Sequence, residues 1–136
     1  MKKAIKLLRV SYWVGAVLDG INVIPLAFPR LGGAMLGIPD LNPTPELKYI
    51  SYIGASLMLG WTILLIWADR KPLERKGVLL ITVFPVVIGI AVSGLFLAAS
   101  GVVSLYSLIP LFIVQLFITA LFLFSYFFAR AKQRGS

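Results

Sequence analysis

The sequence predicts an all-α integral membrane protein, a single domain of four transmembrane helices packed as a bundle. Three observations predict it. Of its 136 residues, 60% are hydrophobic and only 13% are charged. Four apolar runs each reach the length of about 20 residues that a spanning helix needs. The basic residues cluster at the ends of alternate runs.

Composition sets the class. An ordinary soluble domain is about 45–50% apolar and about a quarter charged. A chain this short is mostly surface, so it cannot hide so much apolar side chain from water. The mean hydropathy of +0.96 agrees. Lipid is the expected partner of that surface. The net charge of +8 does not imply nucleic acid. Its cations sit where membrane topology needs them, and no basic stripe interleaves with exposed aromatics.

The first span is expected at about residues 8–28, behind Lys2, Lys3, Lys6 and Arg9. Its apolar run is too long for a signal-peptide core and has no small-residue cleavage site, so it reads as a retained helix. The second span covers about 49–68. It is introduced by Thr44-Pro45-Glu46, with Thr as N-cap, Pro in the first turn and an acid near the positive end of the dipole. The third covers about 77–99 and contains Pro85; the fourth covers about 104–129 and contains Pro110. Each proline removes a donor and frees the carbonyl four residues earlier, at Ile81 and Tyr106. Gly135-Ser136 reads as a remnant of expression.

The cations orient these spans. Eleven lie before span one, between spans two and three, or after span four, against Arg30 and Lys48 alone on the other side. The positive-inside rule then puts both termini in the cytoplasm of a cell-membrane protein. Tyr12, Trp13, Trp67 and Tyr126 are expected in the inner aromatic belt, and Tyr49, Tyr52 and Tyr106 in the outer one. The charged loop Ala68–Lys76 reads as an anchor against anionic lipid. The first outer loop, residues 29–45, is long, rich in Gly and Pro, yet apolar at Leu31, Met35, Leu36 and Ile38. It reads as an ordered connection on the outer interface, with a lid over the bundle as the alternative.

Placed on wheels of 100° per residue, every span has one small or polar face. These are Ser11, Tyr12, Gly15, Asp19 and Asn22; then Tyr49, Tyr52, Ser56, Gly60 and Trp67; then Thr82, Pro85, Gly89 and Ser93; then Gln115, Thr119 and Tyr126. Such faces allow close helix approach and hydrogen bonds in lipid. Asp19 is the only acid inside a span. A charge there costs about 2.5–3.5 kcal/mol on insertion scales. Arg9 is ten positions away, about 15 Å along the axis, and is expected to snorkel to the headgroups. Asp19 is therefore expected to carry a proton, or to ionise only beside a bound cation. Asn22, Ser56, Ser93 and Gln115 are the expected companions of that ligand-binding site. The bland reading is a protonated Asp19 that glues helices through Asn22 or Gln115.

The layout of four short spans with one acid in the first, Asp19, resembles small multidrug-resistance transporters in organisation. None of that family's motifs is present, and the long first outer loop departs from it. With no Cys and no His, disulfides, thiolate or histidine metal sites and a Ser-His-Asp triad are excluded. No metal site, cofactor or enzymatic activity is expected. The chain reads as a transporter or ligand-binding protein with a proton or cation site at Asp19, taking a small cationic or amphipathic ligand and working as a homodimer or with another membrane subunit. The alternative is a structural or accessory subunit with no ligand of its own.

Overall fold

The computed structural model describes residues 1–134; Gly135-Ser136, read above as a remnant of expression, lie outside the described residues. Among them there is no strand. Five helices follow one another: α1 (Lys2–Ala27), the short α2 (Pro29–Met35), α3 (Pro45–Asp69), α4 (Gly77–Ala99) and α5 (Leu105–Arg134). The four long ones are each long and apolar enough to cross a membrane. That is the signature of a membrane-embedded protein.

Local sequence explains the boundaries. Thr44 caps α3, its hydroxyl accepting from the Leu47 N–H at 3.3 Å, and Pro45 fills the first helical position. Helix α3 therefore starts four residues before the apolar run that marks it in the sequence. Within α4, Thr82–Val87 forms a π-helical turn around Pro85. A π turn lengthens the backbone loop by a residue, which makes room for a ring with no N–H to donate. The Thr82 hydroxyl donates to the Val78 carbonyl at 2.8 Å, not to the Ile81 carbonyl.

The bundle is antiparallel, with both termini and the α3–α4 loop at one end. Ser11 on α1 meets Ser125 on α5, hydroxyl to hydroxyl, at 2.6 Å. The Trp61 indole N–H on α3 donates to Thr82 on α4 at 3.1 Å. Helix α1 packs along most of α3 and also against α5, while α4 leans on α5. At the termini-bearing end Arg9 pairs with Asp69 of α3 at 3.6 Å, with more than half of its side chain exposed. Lys76 donates to Gln133, and the Arg75 guanidinium lies 3.4 Å over the Trp67 ring. Tyr12 does not sit in an aromatic belt. It is fully buried, and its hydroxyl donates to the Pro72 carbonyl at 3.3 Å, which latches α1 to the α3–α4 loop.

Packing is uneven along the bundle axis. The core of Leu8, Tyr12, Leu65, Leu79, Val83 and Phe122 lies toward the termini-bearing end. Beyond Ala16, α1 has no fully buried residue, and Ile88–Ala99 of α4 has none. The opposite half buries fewer side chains, Ala55, Val103 and Leu108 among them. There α2 and the chain after it run between α1 and α3. Gly37 comes against Ser107 at the start of α5, where an added Cβ would stand 2.8 Å from the serine hydroxyl.

Candidate functional site

The register of α1 on α5 places the polar side chains. Ser11 pairs with Ser125, and one turn on, Gly15 lies against the Phe122 ring. Because the helices are antiparallel, the same register sets Asn22 level with Gln115. Asp19 lies between, about 4.5 Å from the Gln115 level along the axis. Seven residues return a helix to nearly the same face and four to within about 40°, so Asp19, Asn22 and Gln115 all stay on the α1–α5 seam that Gly15 and Phe122 define. On the α3 side, Gly20 faces Thr62, which puts Trp61 and Thr62 level with Asp19.

These groups lack partners. Gln115 is only 8% exposed, and neither its Nε2 nor its Oε1 has a hydrogen-bond partner among the described residues. Asp19 is half-buried, and its buried Oδ2 is likewise unpaired. Buried polar atoms are rarely left so, because each lost hydrogen bond costs about 1–3 kcal/mol. The nearest cation on α1, Arg9, is engaged by Asp69. The seam thus holds one acid with no counter-charge and an amide with both ends free. It lies just beyond the buried Ala16 and Phe122 of the core.

Ser56 and Ser93 are placed differently. On α3, Leu65, Ala55 and Ala68 are buried, and Thr62 faces α1. Ser56, Gly60 and Trp67 lie on the opposite, exposed face, and nothing lies within 4 Å of a Cβ built on Gly60. Ser93 is exposed, and its hydroxyl donates back to the Gly89 carbonyl at 2.9 Å. The structure brings Asp19, Asn22 and Gln115 to one seam and leaves these two serines off it. Among the polar contacts of the interior, Ser125 and the Trp61–Thr82 bond were not singled out from the sequence. Ser125 is three positions from Phe122 and seven from Ile118, so the α5 stripe that carries Gln115 could have marked it.

On the lipid-facing flank of the same seam, Trp13, Val17, Leu18, Val114 and Phe117 line an open, wholly apolar groove of about 510 Å³. Leu18 and Val114 each precede a seam residue and separate the groove from it. Among the described residues no group of three or more His, Cys, Asp or Glu is placed to hold a metal ion. Comparison with protein-family models, with curated proteins and with solved structures gives no match to this chain.

Proposed function

We propose that the chain is a multi-pass protein of the cell membrane, with both termini cytoplasmic, that binds a proton or small cation at Asp19 as a transporter or ligand-binding protein. The observation that carries this reading is the set of unpaired atoms on the α1–α5 seam: Asp19 Oδ2, Gln115 Nε2 and Gln115 Oε1. A packing device would close its own hydrogen bonds, because polar groups in a bundle interior gain by finding one another. Here the partners face one seam and remain open. An intramembrane acid without a counter-ion is a functional site by default. A bundle this small has little room for two gates, so a homodimer or larger assembly is the working unit. Without His, Cys or a second acid near Asp19, acid–base catalysis lacks a partner group, and the reading is not that of an enzyme.

Infrared difference titration in lipid tests it. The wild type should show a carboxyl band that titrates and is missing from Asp19→Asn. A band that stays unchanged over the whole pH range in which the protein is stable would reduce Asp19 to helix glue.

A second reading, an accessory subunit, draws on the outward small faces. Ser56 and Gly60 on α3, and Gly89 and Ser93 on α4, are exposed, and small residues four apart suit close packing of another transmembrane helix. In that case Asp19→Asn is tolerated and a membrane partner co-purifies.

A further inference from the structure

We propose that Asp19, Asn22 and Gln115 form the site of one alkali-metal cation, held by their side-chain oxygens. This deepens the reading of Asp19 as a proton or cation site and rests on it.

The donor set argues for a hard monovalent ion. The seam offers a carboxylate and two amide carbonyls, all oxygen, and hard cations take oxygen ligands. No hydrogen bond to another side chain or to the backbone engages Asp19, Asn22 or Gln115 among the described residues, so the oxygens are free to coordinate. Gln115 is more than nine-tenths buried and on the inward stripe of α5, so its amide is committed to the interior and not to a headgroup or water.

Charge selects the valence. The seam carries one negative charge, and Arg9 is taken by Asp69. A single positive charge makes the site neutral inside the span. A divalent ion would leave a net charge there, at a cost of some kcal/mol, and no cluster of acids is present to balance it. A proton would satisfy Asp19 alone and leave both ends of the Gln115 amide unmet. An alkali ion engages Asp19 and Gln115 together, through one carboxylate oxygen and Oε1. It leaves Nε2 to donate to the other carboxylate oxygen.

The test uses the whole protein in lipid vesicles or detergent, with Na⁺ and K⁺ as probes against choline at equal ionic strength. A ligand that binds only the folded state raises the unfolding midpoint in proportion to the logarithm of its concentration. The expected result is a saturating rise with Na⁺ or K⁺ that choline does not reproduce. That rise is lost in Asp19→Asn and in Gln115→Leu. Should Asp19→Asn not fold, Gln115→Leu decides: a full alkali shift in that variant overturns the site as assigned. Equal midpoints in Na⁺, K⁺ and choline for the wild type overturn the proposal outright. If the Asp19 carboxyl band nevertheless titrates, the proton reading stands without the cation. If neither response is found, both readings fall.

Discussion

At Gly15, α1 comes close to both α3 and α5. A Cβ there would stand 2.7 Å from the Phe122 ring and 3.0 Å from Leu65. Both neighbours are fully buried, so neither has free space to move into. Gly15→Ala gains up to about 1 kcal/mol of helix propensity and loses about 1–3 kcal/mol to overpacking. The net expectation is a lower unfolding midpoint, restored in part by Phe122→Leu. Gly60→Ala and Gly89→Ala meet nothing within 4 Å and should leave the midpoint level or raise it. Equal effects at all three glycines would contradict the assignment of faces. The Ser11–Ser125 contact is the other residue-scale test. Ser11→Ala strands the buried Ser125 hydroxyl and should cost about 0.5–2 kcal/mol, whereas Ser125→Ala leaves Ser11 its bond to the Leu7 carbonyl at 3.1 Å and should cost less. Changing both should cost less than the sum of the two, a coupling that a double-mutant cycle measures. Gly15 and Ser11 were legible in the sequence because small and polar residues recur at helical spacing on α1. Tyr12 was not. A tyrosine near a span end suits a headgroup belt and a buried latch equally well, and only the position of the Pro72 carbonyl decides between them.

At the scale of elements, the four long helices follow from apolar length alone, but their rotations do not. On α1 and α5 the small and polar stripes point inward, because those helices pack against each other through Gly15 and Ser125. On α3 the stripe of Ser56 and Gly60 points out, and Leu65 and Ala68 point in. Lipid and core are both apolar, so hydrophobicity cannot tell the two faces of such a helix apart. On α4 the wheel fails for a geometric reason. The π turn at Thr82–Val87 inserts a residue and shifts everything beyond it by about 100°, so Thr82 is buried while Gly89 and Ser93 are exposed. The segment after α1 was legible as a Gly- and Pro-rich apolar connection, but its seat on α5 was not, since contacts distant in sequence leave no local pattern. Gly37 makes that seat. Its φ of +85° costs a residue with a Cβ about 1–2 kcal/mol, and the Cβ would also crowd Ser107. Gly37→Ala should therefore loosen the segment from Ser107. Faster hydrogen exchange or proteolysis between Phe28 and Pro43 is expected, with little change in the Leu8–Phe122 core. An unchanged exchange rate would mean that Gly37 does not hold the segment down.

Over the whole molecule, cohesion is concentrated at one end. The latch of Tyr12 on Pro72, the Arg9–Asp69 pair and the buried core all lie at the end that carries eleven cations and both termini. The seam of Asp19 and Gln115 lies beyond Tyr12 and Phe122, toward the other end. Any vectorial role depends on which end faces the cytoplasm, and the cations predict that the tight end does. The chain has no cysteine, so single cysteines can report the orientation without a background. Lys3→Cys and Arg70→Cys lie at the tight end; Asn42→Cys and Ser100→Cys lie at the opposite end, and all four positions are exposed. A membrane-impermeant thiol reagent applied to intact cells should label Asn42→Cys and Ser100→Cys at once. It should reach Lys3→Cys and Arg70→Cys only after the membrane is opened. The reverse pattern would turn the molecule over and put the tight end on the outer side. Labelling of Lys3→Cys and Arg70→Cys from opposite sides would break the bundle itself, because the Arg9–Asp69 and Tyr12–Pro72 contacts require those two segments to share one end.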